Sequence, residues 1–230
     1  MFDFPKPENL DEARRLQGEL ASRVRLEGRL EGIRTLAALD ASMTQDGPIV
    51  AAAVLWDVAA QEVREVGLAA VDQGEVFPYV SGFLSFREAP AYLGALAELS
   101  APPELLLVDG QGVAHPRGLG IAAHLGVHLD VPSIGVAKSR LYGKAVGELG
   151  EEVGHAVPLE AKGAQLGWVY RSRTNVKPLY LSPGHRVGME EVLAFVRSLP
   201  GKTKLPEPLR QAHNWAGKAR KEGLRGRTLP

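Results

Sequence analysis

Residues 105–108 read Leu-Leu-Leu-Val, with Glu104 before them and Asp109 after. An unbroken apolar run this short is too brief for a helix and suits a strand buried on both faces. A second run of the same kind, SIGVAK at 133–138, follows a segment at 119–130 that reads as a helix. Strand, helix and strand in that order imply parallel pairing through a right-handed crossover. In open sheets of this kind ligands collect at the carboxyl ends of the strands. Asp109 and Lys138 stand at those two ends.

The rest of the chain extends this unit in two directions. Upstream, Ile33–Asp40, 49–58 and 62–71 read as three strands, the first two separated by the turn residues QDGP at 45–48. They predict an antiparallel meander, followed by a helix over 86–99. Downstream, 144–182 carries several more short strands, and MEEVLAFVRSL and PLRQAHNWAGKARKE read as two late helices. At the start, Ala13, Leu16, Leu20 and Val24 recur at helical spacing, predicting a helix over 9–29. The expectation is a single α/β domain over residues 1–230. An antiparallel meander and parallel strands share its central mixed sheet, helices flank it, the first 30 residues hold an N-terminal helix, and 223–230 form a loose tail.

Composition narrows the function classes. The chain has 230 residues, 45% of them hydrophobic, which supports one sizeable core. It has no cysteine, which excludes disulfides and thiolate metal sites and accords with a cytoplasmic protein. No apolar run approaches the ~18–20 residues of a membrane span. Net charge is zero but unevenly spread: residues 1–100 carry −7 and the last thirty carry +6. A basic C-terminal segment suits a polyanionic partner, and equally a solvated helix face.

Three acids fall where chemistry would need them. Asp40 ends the first strand, Asp109 ends the central one, and Glu88 opens the helix between them. Carboxylates delivered from separate strands to one sheet edge can share a hard divalent ion. Each acid also has a structural reading: Asp40 in a turn, Asp109 capping a loop, and Glu88 closing the capping box Ser85-x-x-Glu88. In DGQGVAHPRGLG, His115 offers a proton carrier, Arg117 a phosphate fork, and the glycines permit close approach of a ligand. That loop lacks both common phosphate-loop signatures. Lys138 at a strand end needs a phosphate or carboxylate partner. His213 stands on the last helix beside Arg210, Trp215 and Lys218. His124 and His128, four apart among Ala, Leu and Val, read as packing or surface residues rather than metal ligands.

The blocks LAALDAS, PYVSGFLSFRE, LLLVDGQGVAHPRGLGIAAHLGV, PSIGVAKSRLYG, KPLYLSPGHRVGMEE and LPEPLRQAHNWA occur in this order. Together they resemble the endonuclease V family, the deoxyinosine-specific repair nucleases, over about residues 35 to 217. The resemblance implies an RNase H-like fold and a phosphodiesterase using Mg²⁺, with Mn²⁺ as substitute. It implies metal ligation by Asp40, Glu88 and Asp109, with Lys138 near the scissile phosphate and His213 as a further active-site residue. It also implies a base pocket at Gly82, Leu84, Gly110, His115, Ile121 and Leu141, and a strand-separating wedge at Pro78, Tyr79, Val80, Ser81 and Gly82. The expected partner is deoxyinosine-containing DNA, cut at the second phosphodiester bond 3′ to the lesion, by a monomer without an obligate protein partner. Inosine in RNA and a non-catalytic nucleic-acid-binding module are the alternatives. Where the family has a second proline in the wedge, this chain has Ser81, which puts the stiffness of the wedge in question.

Overall fold

The computed structural model describes residues 4–229. One ten-stranded sheet organises them, in the order β10-β3-β2-β1-β4-β5-β9-β8-β7-β6. The meander is β1 (Thr35–Ser42), β2 (Ile49–Asp57) and β3 (Glu62–Val71), all antiparallel. β1 then pairs in parallel with β4 (Leu105–Val108), and β4 with β5 (Ser133–Ala137). The chain leaves this parallel centre through β9 (Leu179–His185), which is antiparallel to β5. β8 (Ala164–Tyr170), β7 (Ala156–Ala161) and the two-residue β6 (Lys144–Ala145) complete that side.

Leu105 to Val108 are all fully buried, as the apolar run predicts. Alternation along the strands divides the core in two. Leu36, Ala38, Leu105 and Leu107 face a layer that includes α4 (Met189–Ser198) and α5 (Glu207–Glu222). Ala37, Leu39, Leu106 and Val108 face α2 (Leu84–Ala97) and α3 (Ile121–Leu129). Helices therefore cover both faces of the central strands, as a parallel sheet centre requires.

Two expectations at the ends of the chain are corrected. The first helix, α1, spans only Leu10–Ala21, capped by the Asn9 side chain on the amides of Asp11 and Glu12. Residues beyond it run across the fold instead: Arg186 N–H donates to the Arg25 carbonyl and Gly188 N–H to the Gly28 carbonyl. Pairing with the chain after β9 thus overrides the helical spacing that reaches Val24. The expected loose tail contains a strand, β10 (Gly226–Thr228), paired antiparallel with Val66–Leu68 of β3. A three-residue strand leaves no periodicity for a sequence to display. Residue 230 lies outside the described residues.

Candidate active site

The site begins with strand register. Leu39 of β1 lies opposite Val108 of β4, so Asp40 and Asp109 emerge side by side at two neighbouring strand ends. Asp109 N–H donates to the Leu39 carbonyl at 2.9 Å, carrying the ladder one residue further. Both acids follow the alternation of the face that α5 covers. From that helix His213 reaches Asp40, with Nδ1 2.6 Å from Oδ2. Lys138, one residue past β5, pairs with Asp109 Oδ2 and lies 3.8 Å from Asp40 Oδ2. The partner that a strand-end lysine requires is thus a pair of carboxylates.

Glu88 enters from α2 on the opposite face. The capping box that was its alternative reading does not form: Phe83 is the N-cap residue, and no side chain caps the helix. Ser85 lies inside the first turn, its Oγ 3.0 Å from His124 Nδ1. Glu88 therefore faces the pocket that Asp40 and Asp109 also line. Burial, then the charges of Asp40 and Asp109, push its carboxyl up to about 7. Asp109 is pushed up to about 6, first by burial and then by Asp40, and Lys138 only partly offsets this. Burial works against the Lys138 ammonium, but Asp109 and Asp40 outweigh it and hold its pKa above the ordinary value.

Three carboxylates against one ammonium is an excess of buried negative charge. Among the described residues, no three carboxylates or imidazoles stand close enough together to form a ligand set as they are. The Lys138 ammonium supplies part of the balancing charge. The donors are carboxylate oxygens, and Glu88 and Asp109 bind protons more tightly than free carboxylates do because of burial and their neighbours. That chemistry fits a hard divalent cation.

The pocket beside them has a volume of about 400 Å³. Gly82, Leu84, Gly110, His115, Ile121 and Leu141 all border it, as does Ser81. Tyr79 does not line it, and stands 71% exposed on the loop that leads to its rim. Phe77, Phe83 and Phe86 are buried together and anchor that loop.

Two expectations for the glycine-rich segment are overturned here. Arg117 is not free to fork a phosphate: Nη2 donates to the Gly82 carbonyl at 2.7 Å, Nε donates to Gln17 Oε1, and Cζ sits 4.2 Å from the centre of the Phe83 ring. His115 is not a proton carrier near neutrality. Burial, then Arg117, lower its pKa to about 4. Its Nδ1 accepts from Arg117 N–H at 3.2 Å, so Nε2 carries the proton and donates to the same Gly82 carbonyl at 3.0 Å.

Gln17 Nε2 is the third donor on that carbonyl, at 2.9 Å. Gly82 has φ +80°, and a Cβ there would meet Arg117 Nη2 at 2.9 Å, so both backbone and space call for glycine. At the other end of the loop, the buried Arg87 donates to the Phe77 carbonyl at 3.2 Å and to Gln73. Pro78 to Ser81 thus lie on a loop held at both ends by side-chain hydrogen bonds. Sequence reasoning missed Gln17 and Arg87. For Gln17 the signal was present: it lies four residues after Ala13 on the apolar stripe of α1, a polar residue where the pattern wants an apolar one.

An RNase H-like mixed sheet that sets acids on adjacent strand ends, beside a glycine-rimmed pocket, suits a metal-dependent nuclease. Comparison with known proteins agrees, since the family model for endonuclease V matches residues 18–214. The chain belongs to the endonuclease V family. It is 62% identical to endonuclease V of Thermus thermophilus over 219 residues, covering 95% of this chain and 96% of that protein. Its fold matches the crystal structure of endonuclease V from Streptomyces avermitilis with a TM-score of 0.86, at 39% identity and 96% coverage of both chains. It also matches Ciona intestinalis endonuclease V, crystallised with a 23mer DNA containing an inosine followed by a ribo-adenosine. That match has a TM-score of 0.82 at 25% identity, over 96% of this chain and 100% of that one.

Proposed function

We propose that this nuclease nicks DNA at deoxyinosine, hydrolysing the second phosphodiester bond 3′ to the lesion and leaving 3′-hydroxyl and 5′-phosphate ends. The observation that carries the reading is the adjacency of Asp40, Asp109 and Glu88 to a pocket bordered by Gly82, Gly110 and Ile121. The Ciona relative's inosine-containing DNA supports the choice of substrate.

Asp40, Glu88 and Asp109 would hold Mg²⁺, or Mn²⁺ in its place. Bound there, the ion supplies positive charge for the oxygens on which charge develops and makes water a better nucleophile near neutral pH. The protein's own groups do the rest. Lys138 brings an ammonium to the same edge and can neutralise a phosphate oxygen. His213, held on Asp40, orients that carboxylate and keeps an imidazole at the solvent side of the site.

A base must leave the helical stack before a pocket can inspect it, which costs a few kcal/mol and least at a damaged or mismatched pair. Tyr79 fills the gap by stacking, a contact worth ~1–3 kcal/mol per base. Hypoxanthine differs from adenine by an O6 acceptor and from guanine by lacking a 2-amino group. Backbone amides at the glycine rim can read the first, and close walls such as Ile121 exclude the second.

Incubation with Mg²⁺ and matched DNA and RNA oligonucleotides carrying one inosine, followed by mapping of the cut, tests this reading. A nick one bond past the lesion's own 3′ phosphate in DNA is expected. Cleavage of the RNA alone would replace deoxyinosine with ribo-inosine as the substrate, and binding without cleavage would leave only a nucleic-acid-binding module.

A further inference from the structure

Beyond the carboxylates, a second pocket of about 150 Å³ opens between the loop after β8 and the loop joining α4 to α5. Ser172, Arg173, Arg197, Thr203 and Lys204 supply its polar walls, and no acidic residue lines it. Arg197 donates one N–H to the Gly154 carbonyl at 2.5 Å, which leaves the rest of its guanidinium fork free. The Ser172 hydroxyl is buried and has no hydrogen-bond partner among the described residues. A buried hydroxyl left unsatisfied beside clustered cations costs stability unless a ligand accepts from it. That combination calls for an anion with several acceptor oxygens.

The pocket is also joined to the cleavage centre. Lys204 Nζ donates to the Lys138 carbonyl at 3.1 Å. Burial, then the charges of Lys138 and Lys177, lower the Lys204 pKa, while Asp109 acts to raise it. Its ammonium therefore sits within electrostatic reach of both the acid site and two other lysines. Arg197 and Arg173 both act on the phenol of the buried Tyr170, whose pKa burial raises against their pull. A cationic track thus runs from the Lys138 ammonium, through Lys204, to the two arginines.

We propose that this pocket takes a phosphate of the substrate backbone other than the scissile one, with Arg173, Arg197, Lys204 and the Ser172 hydroxyl as its donors. The inference rests on the nucleic-acid substrate proposed above. A backbone phosphate carries no base information, so this contact fixes the register of the strand rather than the identity of the lesion. A strand held at two phosphates presents a defined bond to the carboxylates.

The test measures binding of full-length, chelator-treated protein to a duplex with one inosine and to the same duplex without it, across a salt series. Arg173→Gln and Lys204→Gln are compared with wild type, and unfolding temperatures confirm that both fold. Each variant is expected to bind several-fold more weakly on both duplexes, and the slope of log affinity against log salt is expected to shrink by about 1, the value for one lost phosphate contact. Methylphosphonate placed at successive backbone positions should reproduce the loss in wild type at one position, where the variants lose nothing more. An unchanged slope in both variants overturns the proposal. So does binding of inorganic phosphate at this pocket while the oligonucleotide slope stays the same, which would mark a free-anion site. If the slope shrinks on plain DNA but no inosine substrate is cut, the deoxyinosine reading fails and the phosphate pocket stands.

Discussion

Around Asp109, buried like charges crowd together and a single lysine only partly balances them. Around the Gly82 carbonyl, 3.0 Å or less away, three donors from Gln17, His115 and Arg117 converge on one acceptor. The two regions border the same pocket and are built on opposite terms. The first is left short of positive charge, so it has a high demand for a cation. The second is saturated with hydrogen bonds, which hold the loop bearing Tyr79 at its Gly82 end. Catalytic groups gain from unsatisfied electrostatics that a ligand completes, whereas a structural wedge gains from having nothing left to complete.

The contrast is broken most severely at the acids. Asp109→Ala is expected to lower nicking by at least about 10³-fold, several kcal/mol of transition-state stabilisation, while DNA binding changes little. Single-turnover nicking beside a binding isotherm checks this, and normal cleavage by the variant would remove Asp109 from the chemistry.

Next in size is the stability of the metal-free protein. Glu88 and Asp109 have pKa values of about 7 and about 6 when folded, above their ordinary 4.5 and 3.8. The folded state therefore binds protons more tightly than the unfolded chain, and stability falls as pH rises through that interval. Glu88→Gln is expected to raise metal-free stability by up to about 3 kcal/mol above about pH 7 and to flatten the pH slope. Melting curves at a series of pH values in chelator decide it. A slope that is the same in wild type and variant would mean that Glu88 carries no such burden.

A smaller effect is expected on the wedge side. Tyr79→Ala should cost ~1–3 kcal/mol of preference for inosine over plain DNA, with affinity for the divalent ion unchanged. Competition between the two duplexes reads the first quantity and metal titration the second. Equal losses on every substrate would speak against stacking. The smallest effect is expected at the clamp. Gln17→Leu leaves Arg117 Nε without its partner and should cost about 1 kcal/mol of stability. Inosine preference should fall with it, and the pH slope of the metal-free protein should not. Chemical denaturation and the same competition assay measure both.

The two regions also differ in how far the sequence revealed them. Asp40, Asp109 and Lys138 were legible because each terminates an apolar run, and the end of a run marks the end of a strand. Glu88 was ambiguous, because Ser85-x-x-Glu88 satisfies a local rule. Ser85 instead turns to His124, a contact between helices that no local pattern records. The clamp was legible only at Gly82. Arg117 resembled a phosphate ligand because its short-range neighbours are glycines, and its real partners, Gln17 and Gly82, lie 100 and 35 residues away. The parallel centre was readable from the alternation of runs and helix. The early end of α1 and the pairing of β10 were not, because long-range backbone pairing sets both.

The His213–Asp40 contact spans 173 residues. Its consequence concerns the timing of assembly. A chain emerging from a ribosome displays the β1 strand and its acid first and the β4 acid after it. α5, which covers the face on which both acids lie, follows both in sequence. Domains generally acquire their packing as units once their sequence is available. A nascent fragment of this nuclease that stops short of α5 therefore carries its acids without the helix that covers their face and without the His213 contact to Asp40.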